Sequence, residues 1–287
     1  MTATEEDKFG SELAAQRFQM LEDIAKELSG EVVFPTCFSV AVRIRQVLDD
    51  PNNSMEKIAI AVGGDPLVSS KLLALANSAA YAAGQPVRDI RGAIQRLGLQ
   101  AVRSISLAIA MKQMLLSREL VAFDELTIRL WQHSLLSASA ASIVARHLTR
   151  INPDEAFLAG MVHDIGAFYM LYRAAQYPEL SSRPESVKYL VAQWHDSIGQ
   201  SVLGALGMPE SIIDAARDHD QLREAPMPPR NLSDVVYVGN FLAGANFEWL
   251  YQDIDSAAVQ RFALAPQYVE LSEEIAEHAK AMGAVFA

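Results

Sequence analysis

Apolar positions recur along this chain at the three-to-four-residue spacing of helices, and short polar breaks separate one run from the next. Leu13, Phe18, Leu21, Ile24, Ala25 and Leu28 mark one face before Gly30, a helix stop. Asn53 with Glu56 reads as a capping box opening a helix through Ile58, Ala59 and Val62. Asp65-Pro66 and Asn152-Pro153 each set a cap before a proline at the first helical position, where its missing N–H costs nothing. Asp89 opens a run through Ala93, Ile94 and Leu97 that stops at Gly98, and Val102, Ile105, Ile109 and Met114 form the next face. Asp124 begins a longer helix carrying Trp131, Leu135, Ala138 and Ala145. Further helices are predicted over 185–206, 210–218, 233–245 and 267–282. The segment 31–34 is too short to count as a strand. The predicted fold class is therefore all-α, a multi-helix bundle, with the proline-rich 221–231 loop as a flexible connection and a loosely packed tail after Phe247.

Bulk numbers narrow the function. A chain of 287 residues can bury a substantial core as one large domain or two packed halves. Its net charge is −11 and no stripe of Lys and Arg stands out, so nucleic acid is not an expected partner. Arg88, Arg91, Arg96 and Arg103 cluster in sequence and offer at most a small anion or partner patch. The single Cys37 allows no intramolecular disulfide and reads as a buried, inert thiol. The acidic start MTATEEDK has no apolar run behind it, and no segment has the ~18 apolar residues a membrane span requires. A cytoplasmic protein without membrane contact is the expectation.

The segment Asp65–Tyr81, DPLVSSKLLALANSAAY, is built for close packing. Ala74, Ala76, Ser78, Ala79 and Ala80 let a neighbouring helix approach, while Leu72, Leu73 and Leu75 supply apolar surface. Asn77 is the polar exception, a structural residue expected to bond backbone groups at a helix end, or else to touch a ligand. Taken with Pro35, DDP at 49–51, Ser54, Ile58, AIQRLG at 93–98 and Val102, this segment resembles the HDOD family of bacterial regulatory domains. The likeness runs from about Pro35 to Ala243. It implies an N-terminal helical half, 31–122, packed on a half related to the HD phosphohydrolases, 123–245, with residues 1–30 an added helix and 246–287 a helical tail.

Histidines carry the candidate chemistry. Three of the six are followed by aspartate, so that pair alone says little, but AGMVHDIG sets His163-Asp164 at the end of an apolar helix before Gly166. At a helix end two adjacent side chains can turn into one pocket. Imidazoles with a carboxylate and no thiolate suit Fe, Mn, Ni, Zn or, less readily, Mg. By the resemblance, His133, His163 and Asp164 match the first three ligands of HD enzymes, His195 matches the extra histidine of two-metal members, and His219 opens a further pair whose second member is Asp220. The closing aspartate is replaced by Asn240, and Asp234, six residues earlier, faces the other side of its helix. The same residues also read as hydrogen-bonded core histidines. His147 and His278 are expected at the surface.

These departures from the family pattern point to a regulatory, retired site: a non-catalytic HDOD signalling module acting through a protein partner or small ligand, with one divalent metal held weakly or not at all. The alternative is a metal-dependent phosphohydrolase acting on a nucleotide or other phosphoester. Ala167 stands where active relatives often carry lysine, and no GYP-like sequence follows His219, which disfavours cyclic-di-GMP hydrolysis. A homodimer is left open.

Overall fold

The computed structural model describes residues 10–29, 38–78, 81, 84–217, 219–221, 223–244 and 264–286. Cys37, Pro35, Ala79, Ala80 and the 31–34 segment lie outside these residues. Those described are helical throughout, without strands, as the apolar periodicity requires. In chain order the helices are α1 (Ser11–Ser29), α2 (Phe38–Asp49), α3 (Met55–Gly63), α4 (Pro66–Ala76) and α5 (Ile90–Leu115). A 3-10 turn, Arg118–Phe123, leads into α6 (Asp124–Leu148), α7 (Pro153–Val162), α8 (Ile165–Ala174), α9 (Pro178–Ser181) and α10 (Pro184–Ala205). Then follow α11 (Glu210–Ala216), α12 (Leu232–Leu242), α13 (Pro266–Val269) and α14 (Ser272–Phe286). Among the described residues no single helix is long and apolar enough to cross a membrane.

Local chemistry sets most boundaries. Asp65, Asp89 and Asn152 cap α4, α5 and α7 by accepting from the N–H groups of Val68, Gly92 and Asp154, respectively. The α3 cap differs from the expected one: Ser54 accepts from Lys57 N, and Asn53 instead donates its amide to Val47 O. Gly98 breaks α5 as read from sequence, but as a kink at φ +80° with helix on both sides, a conformation that favours glycine.

α6 is the centre of the second half. Its SASAAS stretch is buried on all sides, because α7 and α12 approach its backbone where only glycine fits. A Cβ on Gly160 would lie 2.8 Å from Ala138 Cα, and one on Gly239 would lie 2.9 Å from Ser137 O. α8 crosses α10 in the same manner, Gly166 against Gly199. The two halves join through α5 and α7, where Ser104 Oγ donates to Asp154 O at 3.2 Å and Tyr81 Oη to Asp154 Oδ1 at 3.0 Å. One apolar core runs through both halves, from Leu13 to Phe286.

Several surface expectations change. Phe18 is 69% exposed although α1 buries Leu13, Met20 and Ile24, and Trp194 is 45% exposed whereas Phe168 and Tyr169 fill core. His278 is buried rather than solvent-facing, with its ring edge-on to Phe157 at 6.0 Å, and burial with the nearby Arg146 charge pushes its imidazole down to about 4. His147 is exposed and pairs with Glu274 at 2.9 Å. The 264–286 part of the tail packs firmly: Met282 and Phe286 are buried, and Phe286 meets Trp131 edge-on. Residues 245–263 lie outside the described set. The 221–231 loop is anchored, with Arg223 paired to Asp234 at 2.8 Å and Tyr237 Oη donating to Arg223 O at 2.6 Å. Arg96 bonds Ala76 O and Gln85 O, and Arg103 pairs with Asp49, so two of the four clustered arginines serve packing.

A Cβ at Gly166 would sit 1.9 Å from His195 O, whereas one at Gly204, on the same α10, would meet nothing within 4 Å. Gly166→Ala should therefore destabilise the protein by about 3 kcal/mol or more, the upper end for overpacking. Gly204→Ala should stabilise it by roughly 0.5–1 kcal/mol. Urea unfolding of both variants checks the pair, and equal midpoints would contradict the crossing.

Candidate metal centre

Four helical elements and one turn bring the candidate residues together. His133 projects from the middle of α6, and His195 from the middle of α10. His163 and Asp164 occupy the junction between α7 and α8, where the backbone leaves helical geometry at Asp164 (φ −97°, ψ 16°). That break turns both side chains inward, which two neighbours inside a continuous helix could not do. His219 and Asp220 follow the end of α11, and Asn240 stands near the end of α12. The Gly166–Gly199 contact brings the first turn of α8 against His195 and so sets the distance across the cluster.

Asp164 is the hub. Its Oδ2 lies 3.2 Å from His163 Nε2 and 3.7 Å from His133 Nε2, and its Oδ1 lies 3.2 Å from His219 Nε2 and 3.8 Å from His195 Nε2. Asp220 supplies the second carboxylate, with Oδ2 at 3.1 Å from His195 Nε2 and 3.3 Å from His219 Nε2. Two donor sets result, sharing Asp164: His133 with His163, and His195 with His219 and Asp220.

The far side of each ring is fixed by backbone. His163 Nδ1 bonds Gly160 O at 2.7 Å, His195 Nδ1 bonds Val191 O at 2.8 Å, and His219 Nδ1 bonds Ala216 O at 2.7 Å. A carbonyl only accepts, so each Nδ1 carries the proton and each Nε2 is directed at the carboxylates. At His163 this has a consequence. Its Nε2 is buried without a hydrogen-bond partner, 3.2 Å from a carboxylate oxygen. Two acceptors facing each other in a dry interior call for a cation between them. Adjacent ligands of one ion with bonds near 2.1 Å stand about 3.0–3.4 Å apart, which the shortest spacings here match. The residues therefore fit a divalent metal.

Electrostatics pull the groups apart. Burial pushes His133 down to about 4 despite the Asp164 charge. Burial also opposes the charged form of His219, yet the Asp220 charge and the Asp164 hydrogen bond hold it well above the ordinary histidine value. His195 moves up against the same burial through Asp220 and Asp164. Asp164, despite complete burial, is held well below the carboxylate range by His163 and His219, and Asp220 is lowered chiefly by His219. Without a metal, then, imidazolium protons balance the two carboxylates.

Not every sequence candidate joins the cluster. Asn240 does, but its Nδ2 donates to Asp220 Oδ1 at 3.0 Å and His219 O at 3.1 Å. Asn77 stands apart as the exposed C-cap of α4, bonding Leu73 O, Val87 O and Val87 N. Asp234 faces Arg223 and Arg230, away from the cluster as its spacing required. The carbonyls of Gly160, Val191 and Ala216 and the Gly166–Gly199 contact were not foreseen. A carbonyl three or four residues before a histidine exists in every helix, so no residue type announces it.

Comparison with known proteins agrees with this geometry. The family profile described as "HDOD domain" matches residues 34–222, well over half of the chain. A crystal structure of a "Putative metal-dependent phosphohydrolase" from Shewanella amazonensis SB2B is 25% identical, over 95% of this chain and 100% of that one, with a TM-score of 0.71. An HDOD domain protein with unknown function from Geobacter sulfurreducens is 19% identical, over 95% and 99% of the two chains, with a TM-score of 0.60. Among curated proteins, an uncharacterized protein of Treponema pallidum (strain Nichols) is 22% identical over 286 residues, which is 91% of this chain and 53% of the relative. The chain thus spans about half the length of that relative.

A metal ion reaching His195 and His219 must displace their protons. Because the carboxylates hold both imidazoles above the ordinary histidine value, affinity for Mn or Zn should rise with pH, by roughly tenfold per pH unit for each proton released. Calorimetric titrations in buffers of different ionisation enthalpy measure that release, and a binding heat independent of buffer would contradict it.

Proposed function

The chain belongs to the HDOD family, and on that premise we propose that it is a non-catalytic regulatory module built around a buried divalent-metal centre. When bound, the metal would neutralise the two carboxylates and lock α6, α8, α10 and the His219 turn together. His133, His163, Asp164, His195, His219 and Asp220 would hold it. The reading adopts a signalling role through a protein partner or small ligand, in keeping with what the family resemblance implies.

One observation supports this above the rest: the donors are sealed inside the bundle. Asp164 and the four histidines are at most 6% exposed, and Asp220 alone has an open edge, its side chain 17% exposed. A phosphoester must bring a phosphoryl oxygen within bonding distance of the metal for the metal to act as Lewis acid. The α8–α10 crossing closes one side of the cluster, where Gly166 and Gly199 meet backbone to backbone.

The same centre has a route to the surface. α8 starts at Ile165, directly after Asp164, and its later residues hold α1: Tyr169 Oη donates to Glu27 Oε2 at 2.6 Å and Arg173 pairs with Glu27 at 2.8 Å. Just past α8, Tyr177 Oη donates to Asp23 Oδ2 at 2.5 Å. A shift of Asp164 on metal loss would thus be passed along ten residues of helix to α1. The competing reading, a metal-dependent phosphohydrolase, draws on the Asp220 edge and on the name of the Shewanella relative.

Protein loaded separately with Mn, Fe, Ni or Zn and assayed on a phosphomonoester, a cyclic dinucleotide and a nucleoside triphosphate should show no turnover above that of His163→Ala. The same variant should lose bound metal and melt a few degrees lower. Hydrolysis by the parent chain that disappears in His163→Ala would establish the phosphohydrolase instead.

A further inference from the structure

The residue at position 240 is an amide where the family resemblance leads one to expect a carboxylate ligand, and the simplest interpretation is a damaged site. The geometry around it indicates otherwise. Asn240 is 1% exposed and gives both hydrogens of its amide to acceptors, Asp220 Oδ1 at 3.0 Å and His219 O at 3.1 Å. Asp220, pinned by one oxygen, turns the other to His195 Nε2 and His219 Nε2 at 3.1 and 3.3 Å. Asn240 thus ties the turn that carries His219 and Asp220 to α12, and Tyr237, also on α12, holds the same loop farther along at Arg223.

We propose that the centre's second anion has moved from position 240 to Asp220, and that Asn240 is the positioning residue that holds it there. An aspartate at 240 could not do this. It has no hydrogen to give, and its oxygens would face Asp220 Oδ1 and His219 O, both acceptors, at hydrogen-bond distance in a buried site. The substitution that restores the expected family residue should thus damage the centre rather than repair it. With Asn240 in place the cluster keeps two carboxylates, Asp164 and Asp220, enough to neutralise one divalent ion without a third. This inference deepens the reading of a buried metal centre and rests on it, but it does not depend on whether the centre is catalytic.

A mutant cycle tests it on the full chain, comparing the parent with Asn240→Asp, Asp220→Asn and the double variant Asp220→Asn/Asn240→Asp. Two quantities are read for each: the melting midpoint after chelator treatment, and the affinity and stoichiometry for Mn or Zn alone. Asn240→Asp should lower the midpoint by several degrees and weaken metal binding about 10- to 100-fold, the usual effect of losing a second-layer partner. Asp220→Asn should weaken binding at least as much. In the double variant donor and acceptor trade places at the 220–240 contact while His219 O still faces a carboxylate, so part of the losses should be recovered, and their non-additivity measures the contact. Tighter binding by Asn240→Asp, losses that simply add in the double variant, or a parent chain that takes up neither metal would each overturn the proposal. Phosphoester turnover by the parent together with a coupled cycle would remove the non-catalytic reading and leave the Asp220–Asn240 exchange standing. No turnover with an additive cycle would do the reverse.

Discussion

Two carboxylates buried in one helical interior must be compensated, and the second half of this protein is arranged around that requirement. An unpaired carboxylate in such a place costs several kcal/mol. Asp164 and Asp220 are instead ringed by four imidazoles from three helices and a turn, at 3.1–3.8 Å. Three of those rings are oriented by backbone carbonyls, so their Nε2 atoms are directed at the carboxylates. Protons or a divalent ion can supply the missing positive charge, and His163 Nε2, without a hydrogen-bond partner, lies 3.2 Å from Asp164 Oδ2.

Holding that many polar groups within reach of one another demands that helices come unusually close. Glycine and alanine make this feasible. Gly160 and Gly239 bring α7 and α12 onto the SASAAS backbone of α6, and Gly166 and Gly199 do the same for α8 and α10. Leu, Ile or Phe at these positions would bury more apolar surface but move the ligands apart by the width of a side chain. The larger apolar residues are placed around this close-packed layer instead, Ile143 and Val144 on α6 being wholly buried at a gain of roughly 1.5–3 kcal/mol each.

The connections outward are both polar and apolar. α8 links Asp164 to α1 through Tyr169, Arg173 and, just beyond its end, Tyr177, while α14 is held to α6 by Glu274 with Arg146 and His147 and by the Trp131–Phe286 contact. Both end helices thus pack against the half that carries the cluster.

The helical class, the caps at Asp65, Asp89 and Asn152, the break at Gly98 and the identity of the clustered histidines were all legible in the sequence, because each rests on local chemistry: periodicity, a side chain reaching its own first turn, a positive φ, a residue type. The exposure of Phe18 and Trp194 and the burial of His278 were not, because periodicity identifies a face without saying whether another element will cover it. Asp220 and Asn240 show the same limit at the site itself. The family resemblance suggested that an anion was missing at 240, and only the folding of the α11–α12 turn brought another carboxylate, 20 residues earlier, to within 3.0 Å of that amide. Residue identity sets what a group can donate or accept. Which partner it meets is decided by helix packing, a long-range property that spacing in the sequence does not encode.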